Sequence, residues 1–130
     1  YEGYLAAMGR RGLEPRVLET EPTLTGGLAA AQAFLKMKNV TALVCGEDLT
    51  AAGVLKGLLG AGVRVPEQVA VTGYNNSEYA HICEPELTSV DNKPEMVGLM
   101  SVQLLESLIG GQADPASVVV QPQLALGQST

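Results

Sequence analysis

Residues 42–91 read ALVCGEDLTAAGVLKGLLGAGVRVPEQVAVTGYNNSEYAHICEPELTSVD, and this stretch decides the fold. With Val40 and Thr41 before it, the segment opens on an apolar, β-prone run over 40–45, which is typical of a strand buried on both faces. Asp48 then stands where a helix N-cap belongs. The helix predicted over 49–61 would bury one apolar stripe and stop at Gly62; the stripe comprises Ala51, Val54, Leu55 and Leu58.

The pattern continues on both sides of this stretch. The sequence predicts helices over 1–11, 27–38 and from Pro94 to Gly110-Gly111, and strands over 16–20, 69–72, 87–90 and 118–120. Strands that alternate with helices at this spacing predict an α/β fold with a mainly parallel sheet in a three-layer α/β/α arrangement. Because the chain opens in a helix, we expect a further strand before Tyr1.

The composition limits the classes of function. The 130 residues are 46% apolar and carry a net charge of −6, which excludes a disordered chain. This charge opposes contact with a polyanion such as DNA, and no cluster of Lys or Arg offsets it. No stretch is long and apolar enough to cross a bilayer, and the two separate cysteines favour a reducing compartment. The sequence therefore predicts a cytoplasmic protein without a membrane segment.

Polar side chains follow two of the predicted strands where each strand ends. Glu47 and Asp48 follow the strand over 40–45, and Asn75 and Asn76 follow the strand over 69–72. In open α/β sheets, ligands bind beyond the carboxyl ends of the strands, and carboxylates and amides suit hydroxyl-rich ligands. Simpler roles stay open: Asp48 as an N-cap only, the two asparagines as a polar turn, and Glu47 as a solvated carboxylate.

Signatures of catalysis are missing from the sequence. His81 is the only histidine and no GxSxG motif accompanies it, so a hydrolytic triad has little support. The scattered His and Cys residues do not match a zinc site. Gly26-Gly27 and Gly110-Gly111 lack the spacing of phosphate-binding loops and are interpreted as helix boundaries. The sequence predicts a protein that is not an enzyme and that has no metal or cofactor.

Five linked motifs in residues 42–91 closely resemble the regulatory domain of the lactose-repressor (LacI/GalR) family, and the flanks extend this resemblance to essentially the whole chain. The family pattern is a strand ending in Asn-Asp, Ala-x-Gly in a helix, Gly-hydrophobic-x-Val-Pro, a strand ending in Gly-Tyr/Phe-Asp-Asp, and Pro-x-Leu-Thr-Thr/Ser-Val. This chain supplies Glu47-Asp48, Ala52-Gly53, Gly62-Val63-Arg64-Val65-Pro66, Gly73-Tyr74-Asn75-Asn76 and Pro85-Glu86-Leu87-Thr88-Ser89-Val90.

The resemblance implies a two-lobed, periplasmic-binding-protein-like sensor that closes on a small effector, often a sugar or a nucleobase. Residues 1–90 and 116–130 would belong mostly to the C-terminal lobe, and 91–115 to the N-terminal lobe. The implied effector contacts are Glu47, Asp48, Asn75 and Asn92.

The implied partners are a second copy of the chain and operator DNA. The helix over 49–61 and the segment 78–85 would form a homodimer. A DNA-binding head upstream of Tyr1 would contact the operator, and repression is the expected mode.

The chain departs from the family pattern at three places. Asn-Asp is replaced by Glu47-Asp48, Asp-Asp by Asn75-Asn76, and the arginine usual near the end by Gly127. The first two change the charge of the expected site, and Glu47 in place of an amide favours a ligand with an added donor or a positive charge. The alternative function is a periplasmic sugar-binding protein of a transport system. An α/β enzyme is a third class, which would need a nucleophile at the sheet edge.

Overall fold

A four-stranded sheet organises the chain, of which the computed structural model describes residues 1–111 and 117–130. Strands β1 (Ala42–Val44), β2 (Ala70–Tyr74) and β3 (Thr88–Asp91) are parallel, and β4 (Gln123–Ala125) pairs antiparallel with β3. The strands lie in the order β1-β2-β3-β4. The carboxyl ends of β1, β2 and β3 therefore meet at one edge of the sheet.

Helices connect and flank these strands. Their bounds are α1 (Glu2–Arg10), α2 (Leu24–Phe34), α3 (Asp48–Gly60), α4 (Glu78–Ile82) and α5 (Pro94–Ile109). Helix α3 packs on β2, on α4 and most closely on α2. By contrast, neither α1 nor α5 contains a buried residue. The predicted α/β fold with a mainly parallel sheet is confirmed.

The core lies between α3, α2 and the sheet. The four apolar residues predicted to line the buried stripe of α3 are all buried. Helices α2 and α3 come so close that a Cβ atom on Gly27 would overlap the Thr50 carbonyl oxygen, and one on Gly53 would overlap the Leu24 carbonyl oxygen. Glycine is therefore required at both positions.

One strand prediction is right only in part, and two are wrong. The run over 40–45 forms β1, as predicted, but among the described residues β1 pairs only with β2, and Val44 is 70% exposed. Residues 16–20 form no strand; Arg16 instead donates its backbone N–H to the Tyr4 hydroxyl, 3.0 Å away. The last strand is β4, not 118–120. The two wrong predictions have one cause: a β-prone run becomes a strand only where another strand is in place to pair with it.

Two predictions about helix ends are also wrong. Asp48 is not the N-cap of α3: Glu47 occupies that position, and Asp48 is the first helical residue, with its side chain turned inward. The pair Gly26-Gly27 lies inside α2 and is buried. Thr23 caps α2 instead, since its side chain accepts a hydrogen bond from the Gly26 N–H at 3.0 Å. The tight packing of α2 on α3 accounts for the glycines.

Candidate functional site

A cavity of about 550 Å³ opens at the edge of the sheet where the parallel strands end. This volume is within the range of small-molecule sites. One wall follows β1 and β2, and the other belongs to the irregular segment before α2. The lining residues are Gly46, Glu47, Thr50, Tyr74 and Asn75 on the first wall, and Leu18, Glu19, Thr20 and Pro22 on the second.

The structure brings three of the four predicted site residues to this edge. Glu47 and Asn75 line the cavity. Asn92 does not line it, but its side-chain amide donates to Oδ1 of Asn75 at 3.0 Å. The wall over 18–22 was missed by sequence reasoning, which assigned residues 16–20 to a strand. No local signal identifies this wall, because only the packing of α2 on α3 carries it to the sheet edge.

Glu47 stands at the N-cap of α3 with extended backbone angles, and its side chain makes no capping bond. Its Oε1 atom instead accepts a hydrogen bond of 3.0 Å from the Thr50 hydroxyl, one turn along the helix. Thr50 is buried, so this bond holds the carboxylate against the cavity wall. The N-terminus of a helix favours an anionic group.

Asp48 lies beneath the cavity wall and is only 1% exposed. Its Oδ2 atom accepts from the backbone N–H of Ser77 at 2.6 Å and from the Ser77 hydroxyl at 2.9 Å. Its Oδ1 atom accepts from the Ser89 hydroxyl at 2.6 Å. A Cβ atom on Gly73 would overlap Oδ1, so a glycine in β2 makes room for the carboxylate. Asp48 thus ties the start of α3 to β3 and to the start of α4.

The turn after β2 is held by hydrogen bonds to β3, the strand that also contacts Asp48. Asn75 and Asn76 have positive φ angles of 100° and 50°, a backbone region that asparagine tolerates better than most residues. The Asn75 N–H donates to the Val90 carbonyl at 2.9 Å, and the Asn76 N–H donates to the Ser89 hydroxyl at 3.0 Å. Because Ser89 also donates to Asp48, the strained turn and the buried carboxylate form one network.

Three groups near the site have shifted pKa values. Lys93 lies 2.9 Å from Asp91 in an ion pair, and its hydrogen bond lowers the pKa of Asp91. Burial, with a smaller contribution from the Asp48 charge, raises the pKa of Cys45 to about 12 and also raises that of Cys83. Both thiols therefore stay protonated near neutral pH, and they are poor nucleophiles.

Within residues 1–111 and 117–130, no three His, Cys, Asp or Glu residues group in a way that could hold a metal ion. No helix in this part of the chain has the length and apolar character needed to cross a membrane.

The whole chain, residues 1–130, matches the family of periplasmic binding protein-like domains. It is also 34% identical over 131 residues to the HTH-type transcriptional regulator CelR of Thermobifida fusca, covering 99% of this chain and 38% of that protein. The chain belongs to the lactose-repressor (LacI) family. A second relative, an HTH-type transcriptional regulator of Lachnoclostridium phytofermentans, is 34% identical over 92 residues, which are 71% of this chain and 28% of that protein.

Solved structures agree with this assignment. A LacI family transcriptional regulator from Arthrobacter sp. FB24 superposes with a TM-score of 0.91 at 30% identity, over 99% of this chain and 50% of that one. The CelR–cellobiose complex superposes with a TM-score of 0.86 at 32% identity, over 99% and 41% of the two chains. This LacI-family chain thus spans at most half of each solved relative and about a third of the curated relatives described above.

Proposed function

We propose that this chain is the effector-sensing and dimerisation part of a LacI-type transcriptional regulator that responds to a small, polar, sugar-like molecule in the cytoplasm. The observation that carries the proposal is the cavity at the sheet edge, lined by Glu47 and Asn75 in a chain of this family. Relatives support the ligand class, since one is a complex with cellobiose and another a complex with lactose. DNA contact would come from a head outside these residues.

Within the site we propose different roles for the four predicted residues. The effector would contact Glu47 and Asn75 directly. It would contact Asn92 directly or through the hydrogen bond of Asn92 to Asn75. Asp48 would act from beneath, because its oxygens already accept three hydrogen bonds from Ser77 and Ser89. Effector binding would then stabilise one arrangement of the two lobes, and the dimer would pass this bias to the DNA-binding heads.

Thermal unfolding of the full-length protein with a panel of sugars, including cellobiose, lactose, glucose and ribose, tests the proposal. A ligand of the folded state raises the midpoint as its concentration exceeds its Kd. We expect at least one sugar to do so, and we expect the shift to be lost in Asn75→Ala. Asn39→Ala is the matched control, because Asn39 also has a positive φ angle but does not line the cavity. If no sugar shifts the midpoint, the proposed ligand class is wrong.

We further propose that residues 91–115 pack in the other lobe of the regulator. The proposed boundary between residues 115 and 116 lies outside the described residues. Helix α5 supports the proposal, since it exposes a long apolar surface that a folded protein would cover. Its apolar residues at least 45% exposed are Met96, Val97, Leu99, Val102, Leu105, Leu108 and Ile109.

Maleimide labelling of the full-length protein checks the lobe assignment. We expect Leu105→Cys to react at least tenfold more slowly than Glu67→Cys, which introduces a thiol at an exposed position outside α5. Equal labelling rates at the two positions would mean that α5 stays uncovered.

The dimer surface is proposed to include α4 and the exposed side of α3. Helix α3 packs beneath α2, and most of its residues are buried or half-buried. Few residues of the predicted dimer surface over 49–61 are therefore exposed; one of them is Leu59, at 40%. In the segment 78–85, Tyr79 and Ile82 are exposed, Ile82 to 74%. We expect Ile82→Arg to convert the dimer to a monomer in analytical ultracentrifugation. Leu13→Arg, at an exposed leucine outside the proposed surface, is expected to leave the dimer intact.

A further inference from the structure

A short junction joins the sheet to α5. Asp91 is the last residue of β3. Asn92 and Lys93 follow it, and α5 begins at the next residue, Pro94. The chain also returns to the sheet at this place, because Asp91 lies opposite Gln123 of β4. Since no residue of α5 is buried, the backbone of this junction has a large part in setting the direction in which the helix leaves the sheet.

Lys93 has an unusual backbone conformation. Its φ and ψ angles of 56° and 55° lie in the left-handed region, which glycine adopts freely and which a residue with a β-carbon disfavours. The Lys93 carbonyl accepts a hydrogen bond from the Val97 N–H at 3.0 Å, within the first turn of α5. A change of backbone angles at this one residue would therefore turn α5 relative to β3.

The Asp91 carboxylate holds Lys93 in this conformation. Its Oδ1 atom accepts from the Lys93 N–H at 2.8 Å, and its Oδ2 atom lies 2.9 Å from the Lys93 ammonium nitrogen. Aspartate commonly stabilises a turn by accepting from the backbone two residues along the chain. The side-chain and backbone hydrogen bonds of Lys93 lower the pKa of Asp91, so the carboxylate stays charged at neutral pH. We call these two contacts the Asp91–Lys93 clasp.

Asn92 lies between the two residues of the clasp, and its side chain reaches the candidate site. Its amide donates to Oδ1 of Asn75 at 3.0 Å, and Asn75 lines the cavity. The Oδ1 atom of Asn92 is buried and accepts no hydrogen bond within residues 1–111 and 117–130. The Asn92 amide is therefore positioned by one hydrogen bond and by the backbone on either side of it.

We propose that Asp91 and Lys93 are positioning residues for the effector site, because the clasp keeps Lys93 in the left-handed region and thereby keeps the Asn92 amide against Asn75. Neither residue of the clasp needs to touch the effector. The inference rests on the proposed function, since it adds two residues to the same site. Without the clasp, Lys93 would leave the left-handed region in part of the molecules, and the apparent affinity would fall with the fraction that keeps the site assembled.

Two substitutions of Lys93 separate the backbone from the charge. Lys93→Ala and Lys93→Gly both remove the ammonium group, but only glycine adopts the left-handed region without a steric cost. We therefore expect Lys93→Ala to weaken effector binding about fivefold, and Lys93→Gly to return it to within about twofold of the wild-type value. Elsewhere in a folded chain, glycine is usually the more disruptive of the two replacements, so this order identifies the backbone conformation as the cause.

Hydrogen exchange of the ligand-free, full-length protein tests whether the clasp holds the junction. Mass spectrometry of the peptide 91–98 reports on the Lys93 and Val97 amides, which donate to the Asp91 carboxylate and the Lys93 carbonyl. After correction for intrinsic rates, exchange should be at least about threefold faster in Lys93→Ala than in Lys93→Gly. Equal exchange in the two variants would mean that the left-handed conformation does not hold the junction, and it would overturn the proposal.

Isothermal titration calorimetry with cellobiose, lactose, glucose and ribose tests the effect on the site. Each sugar that binds the wild-type protein should bind the Lys93 variants in the order given above. Asp91→Asn should weaken binding about threefold in the wild-type background, but less than about twofold in the Lys93→Gly background, where the conformation no longer depends on the clasp. Lys36→Ala is the matched control, since Lys36 is exposed and forms no ion pair with any residue that the structure describes.

The outcomes distinguish this inference from the proposed function. If a sugar binds the wild-type protein and Lys93→Ala equally well, the positioning role is overturned and the sugar-sensing function stands. If Lys93→Ala binds more weakly and Lys93→Gly does not restore the affinity, the ammonium group itself acts at the site and the role of the backbone is overturned. If no sugar binds the wild-type protein, the sugar-sensing function fails and the positioning role fails with it.

Discussion

Ser129 holds the beginnings of β2 and β3 together from within the core, and its replacement by alanine should destabilise the protein strongly for so small a change. The residue is 0% exposed. Its hydroxyl donates to the Val71 carbonyl at 2.6 Å and accepts from the Thr88 N–H at 2.9 Å. The hydroxyl thus bridges two neighbouring strands near the start of their pairing, where Thr72 lies opposite Thr88.

The magnitude follows from the two backbone groups that Ser129→Ala leaves without a partner. A buried polar group that loses its partner costs about 1–3 kcal/mol. The backbone of Ser129 still bonds to the Glu86 carbonyl and to the Val71 N–H, so the segment should stay in place. Only one oxygen atom is removed, so the cavity cost is small. We expect a total loss of about 2–4 kcal/mol.

Thermal unfolding followed by circular dichroism measures this loss in the full-length protein. A loss of this size should lower Tm by at least about 4 °C. Ser117→Ala is the matched control, because Ser117 is exposed and lies outside α5. This control should change stability by less than about 0.5 kcal/mol. Equal shifts of Tm in Ser129→Ala and Ser117→Ala would mean that the Ser129 hydroxyl does not hold the two strands together.

Four further predictions concern the buried groups around the site. Asp48→Asn should lose about 2–3 kcal/mol and weaken effector binding, since charge-assisted bonds to Ser77 become neutral; Glu67→Gln, at an exposed carboxylate outside the site, should do neither. Gly73→Ala should cost at least about 2 kcal/mol by forcing Asp48 aside. If the stability losses of Gly73→Ala and Asp48→Asn simply add in the double variant, the two substitutions do not act through the same contact. In the folded protein, Cys45 should resist thiol reagents between pH 7 and 9, because burial raises its pKa to about 12; rapid labelling without unfolding would contradict this. Since that folded pKa exceeds the ordinary thiol pKa of 9.0, the same thiol should make stability fall as pH rises from about 9 to 12.

The sequence by itself determined the elements whose cause is local. The apolar spacing of Ala51, Val54, Leu55 and Leu58 predicts a helix with one buried face, and α3 has that face. The helix that begins at Pro94 follows in the same way from its start and stop residues. The general rule for strand ends also located Glu47 and Asn75 at the right edge of the sheet. These features depend on residues a few positions apart, which is the range over which periodicity and capping act.

The tertiary structure alone decided the features that need partners distant in the chain. Asp48 looks like an N-cap from its neighbours, but Ser77, Ser89 and the gap left by Gly73 turn it inward. Glu19 has no local sign of a site, and the packing of α2 on α3 brings it to the cavity. The β-branched run over 118–120 has strand propensity, yet β3 pairs with β4 instead. Pairing and close packing are set by which segments meet, and a single stretch of sequence does not encode that meeting.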